Sequence, residues 1–65
     1  MTRIKLKVKR IEKGLKQKEL GERVGVKYQA ISDYENGRTT PSPKVMKLLA
    51  KELDSTVQEL FFDEE

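Results

Sequence analysis

In QKELGERVGVKYQAISDY, residues 17–34, apolar residues recur at helical spacing on both sides of a short glycine-centred turn, which constrains the chain more than any other feature. Two short helices meeting across so tight a turn must pack closely. The first then needs a small residue where the second crosses it, and the turn needs a glycine. Counting Gln17 as the first position, Gly21 is the fifth, Gly25 the ninth and Ile31 the fifteenth. Leu20, Val24, Val26 and Tyr34 take the other inward positions. All seven positions agree with a crossed helix pair, a far more specific match than either glycine alone.

Start and stop signals extend this pair to five helices. Helix 1 is predicted over 5–13, stopped by Gly14, with Leu6, Arg10 and Lys13 on one face. Helix 2 covers 17–24, with Gly25 as its left-handed stop. Helix 3 runs from 27 to 35 or 36 and ends at Asn36-Gly37. Ser42 caps and Pro43 opens helix 4, whose inward set is Val45, Met46, Leu49, Ala50 and Leu53. Thr56 and Glu59 read as a capping box for helix 5, which presents Val57, Leu60 and Phe61. Residues 2–9 alternate like a strand, but a lone strand has nothing to pair with, so helix is preferred and the class is all-α.

Sixty-five residues make one small domain near the lower size limit for a core without staples. The domain is expected over 1–62, with 63–65 a disordered acidic tail. There is no cysteine and no histidine, which removes disulfides, thiolate and imidazole metal sites, cysteine nucleophiles and the commonest general base. The acids are scattered over several helix surfaces, so an enzyme is the poorest reading and no cofactor or metal is expected. No apolar run approaches a membrane span, and a soluble, intracellular chain is expected. Charge is divided unevenly. Residues 1–40 carry eleven Lys and Arg against five Asp and Glu, whereas 41–65 carry three against six. A basic front suits a polyanion, and an acidic back faces something else.

With KRIEKGLKQKELGERVGVKYQAISDYENG followed by PSPKVMKLLAKELDSTVQELF, the segment from Leu6 to Phe61 resembles the Cro/repressor (XRE-type) helix-turn-helix family, which includes the repressors of lambdoid phages. The resemblance implies a five-helix, lambda-repressor-like DNA-binding domain. Its helix 3 enters the major groove, and its dimers bind palindromic double-stranded operators. It also implies a cytoplasmic protein of bacterial or phage origin, most readily a repressor, with no small-molecule ligand evident.

On that frame Tyr28, Gln29, Ser32 and Asp33 face the bases. Gln29 is the best reader, because its amide matches the N7 and N6-H edge of adenine. Asp33 departs from the family's longer amide or basic side chains, and two readings stay open: acceptance from cytosine N4-H, or a surface acid that restrains indiscriminate binding. Lys16 and Lys27 stand where Ser, Thr, Asp or Asn would cap helices 2 and 3, each at a cost of roughly 1 kcal/mol. Broken local rules of this kind point to function, here phosphate contact. Gln17 is placed at a phosphate by its match to the family's contact position, and Arg38 and Thr39 follow as loop contacts. Arg10 and Glu35 match a partly buried structural pair in the family. Phe62 is the candidate homodimer contact, with Leu53 and Met46 at its edge. Ser55 replaces a usual apolar residue, which predicts a looser junction between helices 4 and 5. The competing class is a protein-interaction module of the same fold, an antitoxin or a coactivator-like domain gripping its partner through helices 4 and 5.

Overall fold

The structure, a computed structural model, describes residues 2–62, and the 63–65 tail expected from the sequence lies outside the described residues. Four α-helices follow one another: α1 (Ile4–Glu12), α2 (Gln17–Val24), α3 (Tyr28–Glu35) and α4 (Pro43–Glu52). A fifth element, α5 (Gln58–Phe62), is wound as a π-helix. The expected all-α, five-helix order therefore holds among the described residues, with α1 and α3 each displaced by about a residue at their ends.

The four α-helices stop in the same way. Gly14, Gly25 and Gly37 each adopt a left-handed φ between 71 and 81°. The amide of the next residue then reaches back five positions: Leu15 to the Arg10 carbonyl, Val26 to Gly21, and Arg38 to Asp33, at 2.9–3.1 Å. This closes carbonyls that a helix end otherwise leaves unpaired. After α4 the same bond runs from Ser55 to Ala50 at 2.8 Å, but Asp54 takes the left-handed position, with φ 50°. Asp tolerates that region better than most non-glycine residues.

The core draws on every element, through Leu6 of α1, Leu20 and Val24 of α2, Ile31 of α3, Leu49 of α4 and Leu60 of α5. Two dimer assignments change here. Leu53 is 1% exposed and Met46 8%, so both side chains serve the domain's own interior rather than the edge of an outer contact. The helical turn that follows α4's periodicity carries them inward with Leu49. Phe62 is 55% exposed.

The junction of α4 and α5 is tied by polar contacts. The Ser55 hydroxyl donates to the Glu59 carboxylate, and the Glu59 amide donates to Thr56 Oγ1 at 3.0 Å. Only the Thr56 half of the expected capping box is therefore present, because Ser55 takes the carboxylate that would have returned to the cap. The alternating residues 2–9 are resolved by α1, which turns Leu6 inward and leaves Ile4, Val8 and Ile11 exposed one turn apart.

Candidate nucleic-acid interface

The crossing of α2 and α3 depends on Gly21. A Cβ there would meet the Val26 carbonyl oxygen at 2.5 Å, a backbone atom that cannot swing away. With α3 held this close, Ile31, Tyr34 and Glu35 turn inward. Glu35 is 2% exposed and Arg10 is 8%, yet they are paired: Arg10 Nε donates to Glu35 Oε2 at 2.6 Å and Nη2 to Oε1 at 3.3 Å. Arg10 Nη1 also donates to the Leu15 carbonyl at 2.8 Å. Such a pair is a poor source of net stability, but losing one partner strands a buried charge.

Gln17 joins this pair. Its Nε2 donates to Glu35 Oε1 at 3.1 Å, so the amide that the resemblance aims at a phosphate has its first partner inside the domain. The buried carboxylate outcompetes water for that proton because it needs every donor it can reach. One N–H of the amide is left for an outside acceptor.

On the opposite side of α3, Tyr28 and Gln29 are exposed, and Ser32 and Asp33 are half-buried. Tyr28 and Gln29 border a shallow depression with Lys18, Glu22, Val26 and Lys27. Ser32 Oγ accepts from Asn36 Nδ2 at 3.4 Å. Asp33 is engaged as well: its Oδ1 lies 3.5 Å from Arg38 Nη1, so the base-reading and phosphate assignments of these two residues meet in one exposed ion pair.

Lys16 and Lys27 occupy the N-cap positions of α2 and α3 in extended backbone, and neither side chain closes a cap. A lysine ammonium has no acceptor to offer the helix amides. At α2 Glu19 supplies the return half of a capping box, accepting from the Lys16 amide at 2.9 Å. Helix α3 has no acid in its first turn. Lys27 and the open start of α3 thus lead directly into Tyr28 and Gln29 on the outer face, and α2 carries a second lysine at its own start, a setting that favours anions.

Arg3 was not among the residues singled out from the sequence. Its amide donates to the Glu35 carbonyl at 2.7 Å, Nη1 to the carbonyls of Tyr34 at 2.7 Å and Thr39 at 2.8 Å, and Nη2 to Thr40 Oγ1 at 2.8 Å. The guanidinium also sits 5.3 Å from the centre of the Phe61 ring. Most of these partners are main-chain oxygens, which no side-chain pattern encodes. One signal was available: α3 has no basic residue in its last turn, so a cation to match its carbonyl end has to come from elsewhere.

Other exposed pairs tie the helices at their rims. Lys13 meets Asp54, and its hydrogen bond and charge hold the Asp54 carboxyl below the usual 3.8. Lys9 lies 3.9 Å from Glu59, and Arg23 lies 3.3 Å from Glu52. No described helix is long and apolar enough to cross a membrane.

The packing of α2 against α3 and the polar, lysine-flanked outer face define a helix-turn-helix module of the kind used by DNA-binding regulators. The chain belongs to the helix-turn-helix family, whose pattern matches residues 6–60. That family comprises regulatory DNA-binding domains rather than enzymes. The chain is also similar to a protein of Yarrowia lipolytica (strain CLIB 122 / E 150) called "Putative multi-protein-binding factor 1", at 43% identity over 44 residues. The match takes in 68% of this chain and 29% of that relative's length.

Proposed function

We propose that this protein is a sequence-specific regulator of transcription, a repressor, that binds a palindromic double-stranded DNA operator as a homodimer with α3 in the major groove. One observation carries the reading: the outer face of α3 is polar while its inner face is locked, and lysines that close no cap stand at the starts of α2 and α3. Gln29 reads a base, with Tyr28, Ser32 and Asp33 beside it, and Lys16, Lys27, Gln17, Arg38 and Thr39 hold phosphates. Phosphate contacts position the module and base contacts specify the site.

The described residues extend 28 Å at most, less than the roughly 34 Å that separates successive major-groove faces. One copy therefore meets one groove, and two half-sites call for two copies. Exposed Phe62 supplies the apolar contact between them. The protein works in the cytoplasm on this reading, at the nucleoid when bound, and needs neither cofactor nor small-molecule ligand.

Selection from randomised duplexes tests the proposal. Wild type is expected to recover a palindromic consensus. Gln29→Ala should lose one base preference per half-site, worth about 1–3 kcal/mol. Recovery of salt-sensitive binding without any consensus would sink it.

A second reading, a protein-interaction module, is supported by the printed name of the Yarrowia relative and by the apolar residues left outside at Ile4, Val8, Ile11 and Phe62. It predicts that Gln29→Ala and Lys27→Ser leave function intact.

A further inference from the structure

We infer that Arg3 is a positioning residue for the phosphate-contacting loop after α3, setting DNA affinity without touching DNA. The assignment rests on the DNA-binding reading above and concerns how that same site is held. Arg38 and Thr39 follow Gly37 in a stretch whose residues are exposed up to the buried Pro41. Such a loop, left to itself, samples many conformations, and ordering it on DNA would cost affinity. Arg3 removes much of that freedom beforehand.

The geometry is specific to arginine. One guanidinium spans the last carbonyls of α3 and the loop: Nη1 is shared by the Tyr34 and Thr39 oxygens, while Nη2 takes Thr40 Oγ1. Its Cζ lies over the Phe61 ring of α5, 5.3 Å from the ring centre. A planar fork satisfies several acceptors in fixed directions, whereas an ammonium acts as a point charge on a flexible stem. Three of its N–H groups are met inside the protein, which holds the fork against the loop instead of leaving it to swing toward a phosphate.

The loop is held at its start too. The Arg38 amide closes α3 on the Asp33 carbonyl, and its side chain faces Asp33 at 3.5 Å. Arg3 secures the following two residues. The Arg38 side chain is thereby launched from a backbone fixed on both sides, close to the C-terminal end of the recognition helix.

The experiment is a double-mutant cycle read in duplex binding. Arg3→Lys keeps the charge and the backbone bond to Glu35 but loses the fork. In the parent, Arg38→Ala should weaken duplex binding about eightfold at 0.1 M salt and lower the salt slope by about 0.9, the counterion value of one phosphate. In the Arg3→Lys background the same change should cost less than about twofold, because the contact is no longer presented, a coupling of neighbouring sites. Amide exchange at 38–40 in the free protein should rise with Arg3→Lys, and the selected base consensus should be unchanged.

Thr40→Val removes one acceptor of the fork and leaves the end of α3 alone. It provides the same cycle, with a smaller effect, if Arg3→Lys does not fold. Additive effects of Arg38→Ala and the fork variants, or unchanged exchange at 38–40, would overturn the assignment while leaving DNA binding intact. A parent chain that binds no duplex at any salt would overturn the functional reading, and this assignment with it.

Discussion

The two sides of α3 are built under opposite rules. On the inner side the buried charge is engaged: Glu35 receives Arg10 and Gln17, and no buried side-chain nitrogen or oxygen among the described residues lacks a hydrogen-bond partner. On the outer side the local rules are relaxed, with Lys27 at the N-cap and no acid in the first turn. Helix α4 shows that the chain uses ordinary caps elsewhere: Ser42 Oγ accepts from the Val45 amide at 3.3 Å, and Pro43 occupies the first turn. Arg3 at the start of α1 closes no cap either, so the contrast is between α4 and the shared basic starts of α1, α2 and α3.

The largest expected effect is on the inner side. Glu35→Ala should cost about 3–5 kcal/mol by stranding Arg10, enough to unfold a domain of this size, and circular dichroism in urea measures it. Replacing both partners, as Arg10→Met with Glu35→Leu, should recover most of that loss. A Glu35→Ala chain as stable as the parent would break the comparison. Gly21→Ala comes next, at about 1–3 kcal/mol, because its Cβ meets the Val26 carbonyl and pushes α3 away.

The caps sharpen the contrast because their signs differ. Lys27→Ser and Lys16→Ser should each raise stability by about 1 kcal/mol and lower the salt slope of duplex binding, whereas Ser42→Ala should lower stability by a similar amount and leave the slope alone. A melting curve and a salt titration for each variant decide the point. An unchanged slope for Lys27→Ser would remove the phosphate role.

The smallest effect is pH-dependent and lies far from α3. Lys13 lowers the Asp54 pKa, so the pair stabilises the fold above 3.8 and is lost as pH falls through the lower folded value. Asp54→Asn keeps a residue suited to the left-handed turn but removes the charge. Its stability should match the parent's at the bottom of that acid window and fall slightly below it at neutral pH, as read from melting temperatures across the range.

Much of the fold was legible because its signals are local. Helical spacing in 17–34, glycine stops at 14, 25 and 37, and Ser42-Pro43 each act within a few residues of where they stand. The identity of the outer face of α3 follows from the same spacing, since fixing Ile31 and Tyr34 inward leaves Tyr28, Gln29, Ser32 and Asp33 outward. What pattern could not supply is the choice of partner when several are available. Glu59 had Thr56 and Ser55 within reach, and Asp33 had Arg38 waiting across the turn.

The sequence alone determined an all-α chain with a helix-turn-helix, because periodicity and turn chemistry are properties of neighbouring residues. Tertiary structure alone decided that Gln17 turns toward Glu35 and that Arg3 spans the end of α3 and its loop. Arg3 and Thr40 are 37 positions apart in sequence, and only the folded path of α1 past the end of α3 brings a guanidinium to those oxygens.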